Sequence, residues 1–139
     1  MASIRKEILV DAPPEHCWDA LRDVGALHTR LVPGLVTATT LEPGARLVTF
    51  GSGMVARELI VDVDEEARRV GWAVVGGSFT HHNASVQVFA DGAGSRLVWI
   101  ADLLPHTLAP AIREMIEHAA RVMKPTLERR IAAVDRAAS

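Results

Sequence analysis

Cysteine occurs once in the chain, at Cys17. One thiol rules out an intrachain disulfide, and it rules out a metal cage built from several thiolates. Aromatic residues are scarce, with three Phe and three Trp in 139 residues. No block of Lys or Arg stands out, and the formal net charge is −2. The chain therefore lacks the basic footprint and the stacking surface of a nucleic-acid binder. Long apolar runs are missing too. Leu97 to Ala101 is among the longest, far short of a membrane span. The opening MASIRKEILVDAPP carries no secretory apolar stretch. These absences lead us to expect a cytoplasmic protein that does not insert into membranes. No repeat, low-complexity tract or linker divides residues 1–139, so one domain is expected, of a common domain size.

What is present is apolar material, 49% of the chain, arranged in two periods. Ser3 to Val10 ends in Ile8, Leu9 and Val10 and predicts a strand. Asp11-Ala12-Pro13-Pro14 closes it and opens a helix over Pro14 to Val24, since proline suits a first helical turn. Cys17, Trp18, Leu21 and Val24 form its apolar stripe. Ala26 to Val32 predicts a second short helix. Six strands follow, over Leu35–Glu42, Ala45–Phe50, Val55–Asp64, Arg68–Val75, Phe79–Ala90 and Arg96–Leu104. The gaps between them are short and turn-like, which implies antiparallel hairpins. From Leu108 the period returns to 3.6 residues, predicting an amphipathic helix to about Arg136 with Pro125 inside it. Strands segregated from helices make this an α+β chain. A six- or seven-stranded antiparallel sheet must cover one face, and the last helix is the element long enough to do so.

Strand residues alternate faces, which assigns side chains to the interior. In the last strand Trp99 is placed inward with Leu97, Ala101 and Leu103. In Thr80-His81-His82-Asn83-Ala84-Ser85-Val86-Gln87-Val88, His82 falls with Ala84, Val86 and Val88. His81 falls with Asn83, Ser85 and Gln87. The adjacent histidines should diverge, so no metal pair is expected on this strand. In Val55 to Asp64 the set Val55, Arg57, Leu59, Val61, Val63 is the more apolar, and it would carry Arg57 inward. An inward guanidinium needs a ligand anion, an internal Glu, or a route to water. The glycines of Gly51-Ser52-Gly53 precede a strand, so they mark a hairpin and not a phosphate loop. No cofactor is expected.

The opening ILVDAPPEHCWDALRDV, the hairpin DGAGSRLVWIADLLP and the terminal amphipathic helix resemble the START-like or Bet v 1-like superfamily. The nearest likeness is its polyketide cyclase/dehydrase-type branch. The resemblance implies a helix-grip fold, a curved sheet wrapped around the long helix, with two short helices after the first strand. It also implies a cavity between sheet and helix. The function expected is binding of a hydrophobic small molecule, namely a lipid, polyketide or aromatic metabolite. Arg57 and His82 would orient it, and Trp72, Trp99, Met115, Ala119 and Met123 would line the site. Two alternatives stand beside this. One is a cyclase or dehydratase with His82 as base or acid and Arg57 stabilising an enolate. The other is an interaction module that pairs with another protein or forms a homodimer.

Overall fold

The computed structural model describes residues 2–138, and the side chains of residues 2–129. Strands β1 (Ala2–Val10), β2 (Val36–Glu42), β3 (Ala45–Phe50), β4 (Val55–Asp64), β5 (Arg69–Val75), β6 (His81–Asp91) and β7 (Gly94–Leu104) form one antiparallel sheet. Its order is β1-β7-β6-β5-β4-β3-β2. Successive hairpins generate that order, and β1 joins at the β7 edge. Helix α1 (Pro14–Arg22) starts on consecutive prolines, and a π-helical turn (Leu27–Leu31) follows it. Helix α2 (Ala109–Ala138) continues through Pro125. The Thr126 hydroxyl donates to the Val122 carbonyl at 2.7 Å beside that proline.

The β6–β7 turn is two residues, Gly92-Ala93, between the paired Asp91 and Gly94. Gly92 adopts φ 58°, which glycine tolerates without steric cost. Gly94 serves a different need. A Cβ there would lie 2.7 Å from the Val10 carbonyl oxygen, so only glycine lets the end of β1 pass this close.

The concave face is built row by row from the register. Ile60, Trp72, Ala84, Ala101 and Ile4 face one another across β4, β5, β6, β7 and β1. The next row carries Val70, Val86 and Trp99. Helix α2 covers this face with Ile116, Ala119, Met123 and Leu127, all buried. It is tied to the sheet edge by Lys6 Nζ–Glu117 Oε2 at 2.9 Å and by Lys124 Nζ donating to the Leu9 carbonyl at 2.9 Å. Helix α1 closes one end. Trp18 Nε1 and Arg22 Nε each donate to Glu65 at 2.7 Å, which fastens α1 to the β4–β5 turn.

The structure overturns one sequence expectation, the inward face of β4. Arg57 is exposed, and Glu58 is the buried residue. The register of β4 shifts between Ile60 and Asp62, as a β-bulge requires. Alternation read straight through the bulge assigns Val61 and Val63 to the face of Arg57. Val61 is in fact solvent-exposed, and Val63 pairs with the inward Val70. Without those two valines the faces are Val55-Arg57-Leu59 and Ala56-Glu58-Ile60, each with two apolar residues, so hydrophobicity no longer separates them.

Leu97 is 0% exposed and Val61 is 61% exposed. Leu97→Ala is expected to lower the unfolding free energy by about 2–5 kcal/mol. Val61→Thr is expected to change it by no more than about 0.5 kcal/mol. Urea unfolding of both variants checks the assignment of inner and outer faces.

Candidate functional site

Between the concave face and α2 lies a partly open cavity of about 80 Å³. It adjoins an outer groove of about 680 Å³. The two spaces share Leu35, Phe50, Glu58, His82 and Met115 in their walls, so these residues stand at the neck. Small side chains leave the room. Ala84 stands next to Trp72 in its row, and Ala119 faces the cavity from α2. This inner part can hold a few waters or a ligand's head. A drug-sized ligand needs several hundred cubic ångströms, which the groove supplies.

Six of the seven expected lining residues converge there. Trp72, His82, Trp99, Met115, Ala119 and Met123 all line the cavity. Arg57 does not. It lies on the outer face, with Nε 3.7 Å from Glu42 Oε2. The bulge described above is what led alternation to place it inward.

The polar residues that do enter the site are Arg46 and Glu58, which sequence reasoning missed. They are cross-strand partners in the β3–β4 hairpin. Arg46 Nε donates to Glu58 Oε1 at 2.8 Å, and the two side chains are 3% and 10% exposed. Arg46 Nη1 also donates to the Val24 carbonyl at 3.2 Å. The guanidinium lies 5.3 Å from the Trp72 ring centre, a cation–π contact. Burial pushes the Glu58 carboxyl above its ordinary value, opposed by the charge and hydrogen bond of Arg46. A signal was available. A hairpin in which Thr49 meets Val55 must also set Arg46 opposite Glu58.

His82 and Trp99 differ from that pair. Both are 8% exposed. His82 Nδ1 and Trp99 Nε1 are buried and have no hydrogen-bond partner in the protein. The His82 ring packs 4.6 Å from Phe79, centre to centre. The Trp99 ring meets Trp72 edge-on at 6.0 Å and 65°. Burial, reinforced by the neighbouring His81 charge, holds the His82 imidazole below its ordinary 6.5. His82 is therefore neutral at neutral pH, able to donate through one ring nitrogen and accept through the other. The Trp99 N–H can only donate. Together these groups can hold a polar atom of a guest inside an otherwise apolar space. Among the described residues no three His, Cys, Asp or Glu side chains converge as a metal site. No helix among them is long and apolar enough to cross a membrane.

Two predictions follow from this geometry. Arg46→Leu and Glu58→Leu should each destabilise the fold by about 3–5 kcal/mol, because each strands a buried charge. The double variant should cost clearly less than the sum, as read from a double-mutant cycle in urea. For His82, the native pKa lies below the unfolded one, so its contribution is present above 6.5 and is lost as pH falls through the native value. Between about pH 7.5 and 5.5, the wild type should lose more stability than His82→Gln.

With the site described, the chain can be set beside known proteins. No curated relative matches it. Among solved structures, a protein from Thermobifida fusca is 27% identical with a TM-score of 0.75, over 94% of this chain and 93% of that one. A START superfamily protein from Mycobacterium smegmatis is 14% identical with a TM-score of 0.71, over 95% and 98%. Norcoclaurine synthase from Thalictrum flavum, as a point mutant in complex with a transition-state analogue, is 19% identical with a TM-score of 0.66, over 91% and 93%. The last two share the fold. At the level of sequence, the family described as polyketide cyclase/dehydrase and lipid transport matches residues 1–138. A curved seven-stranded sheet closed over a long C-terminal helix, matched along the chain in this way, belongs to the polyketide cyclase/dehydrase and lipid transport family.

Proposed function

We propose that this protein binds a hydrophobic small molecule, a lipid, polyketide or aromatic metabolite, between the concave sheet and α2. The family supports a hydrophobic ligand-binding fold. The observation that carries the reading to this chain is that two residues of the cavity wall, His82 and Trp99, each keep a buried ring nitrogen, Nδ1 and Nε1, without a protein partner. A buried donor left unpaired costs about 1–3 kcal/mol, and a ligand oxygen removes that cost. Burial of the ligand's apolar body in the groove would drive association, at roughly 25 cal/mol per Å² before ordering costs. Trp72 and Trp99 form the aromatic wall, and Met115 and Met123 the adaptable one.

The neutral imidazole of His82 favours a second reading, cyclase or dehydratase-like chemistry on the bound molecule. His82 would take or return a proton. Arg57 has no part in it, since its side chain is on the outer face.

Purified protein should carry or take up hydrophobic guests, seen as added mass in native mass spectrometry. The fluorescent probe N-phenylnaphthylamine should bind with a rise in its emission. Ala119→Leu fills the cavity and should weaken that binding at least about tenfold, while circular dichroism shows the fold retained. Equal binding by Ala119→Leu would mean that the probe sits elsewhere, and would sink the assignment of this cavity.

A further inference from the structure

The charges around the cavity say what kind of guest it accepts, an inference that rests on the binding reading above. Among the described residues lining the cavity and the groove, Arg46 and Glu58 are the sole Arg, Lys, Asp or Glu. The other titratable side chains are His82 and, on the exposed rim, His118. Arg46 is already committed, to Glu58 at 2.8 Å and to the Val24 carbonyl at 3.2 Å. The two charges cancel, joined by a charge-assisted hydrogen bond.

The register gives the order in depth. Glu58 pairs with Val74, and His82 immediately precedes Asn83, the partner of Ala73, so the antiparallel register carries Arg46, Glu58, Val74 and His82 into one row at the neck. Trp72 stands in the next row. Trp99, opposite Val86, stands in the one beyond. A guest entering from the groove passes the ion pair first and meets the Trp99 N–H last.

Each charge type fails along that path. An anion passes Glu58 and reaches Trp99, whose β1 neighbour Lys6 is already tied to Glu117 at 2.9 Å, so it meets no free cation and is buried unpaired. An ammonium passes Arg46 and offers Trp99 no lone pair. An uncharged oxygen fits, since it accepts from Trp99 Nε1 at no electrostatic cost. We infer that the site selects guests whose inner polar group is an uncharged oxygen acceptor, a ketone, ester or hydroxyl, and that Glu58 is the gate against carboxylates because it occupies Arg46, the cation they would need. A ligand anion was one of the three partners that an inward Arg57 would have called for. The inward arginine is Arg46, and it already has Glu58.

Matched probes test this. Acetonaphthone and naphthoate share one size and shape, as do methyl undecyl ketone and dodecanoate. In titration calorimetry at neutral pH, the wild type should bind each ketone at least about tenfold more tightly than its carboxylate partner. Glu58→Gln leaves Arg46 unpaired and should narrow that ratio by a similar factor, mainly through gain of the carboxylate. Should Glu58→Gln not fold, the wild-type ratio decides alone. Equal or tighter carboxylate binding by the wild type overturns the selection and leaves hydrophobic binding standing. A ratio unchanged in folded Glu58→Gln overturns the gate. If none of the four probes binds while N-phenylnaphthylamine does, selection for a neutral oxygen is wrong. If no guest of any kind binds, both readings fall.

Discussion

A guanidinium taken out of water has to meet an anion, and here the demand is met across one hairpin. Arg46 on β3 and Glu58 on β4 are direct cross-strand partners, 2.8 Å apart at the hydrogen bond. The pairing tolerates one register and one facing of the hairpin. A slip of either strand by a single residue would turn its charge to the other face of the sheet and leave the partner unpaired. With the pair inward, Val48 and Ala56 also face the cavity side and Arg57 is sent outward. The bulge between Ile60 and Asp62 then restores the apolar face for the rest of β4, since Val63 returns to the side of Val70. The charge arrangement of the whole cavity follows from this one contact. It supplies polarity at the neck without supplying net charge.

The remainder of the interior is arranged so that packing stops short of completion. Protein interiors are ordinarily close-packed. Here alanines at 84 and 119 sit where larger residues would meet, beside the large rings of Trp72 and Trp99. The rings keep their edge-on contact, and the room appears next to them. The fold holds its shape at the periphery instead. Glu65 fastens α1 to the β4–β5 turn, and Lys6, Lys124 and Glu128 fasten α2 to β1 and the residues after it. A site that must admit a guest is thereby framed by ties that do not cross it.

Much of this was legible in the residues. Every strand was expected within a few positions of its place, because hairpin turns and strand runs are local signals. The opposite facing of His81 and His82 came from period-two alternation alone; for Trp99 both faces of the last strand read as largely apolar, and its inward facing was a placement that the structure shares. The same rule failed in β4, where a bulge broke the period and two valines beyond it swayed the count. The sequence expectation also left open whether a buried arginine would find an internal partner. Had the β3–β4 turn been used to set the register, Arg46 would have been found opposite Glu58 without any coordinates.

By itself the chain determined its α+β order, its antiparallel connections and the identity of the aromatic and methionine residues available to a cavity. These depend on spacing between neighbours, and neighbours are written in order. Only the tertiary structure decided which arginine is inside, that its charge is cancelled by Glu58, and that His82 Nδ1 and Trp99 Nε1 are left without partners. Those outcomes depend on distances between strands and on a bulge in one of them. Pairing across space decides whether a polar atom is satisfied, and alternation along a strand does not carry that information.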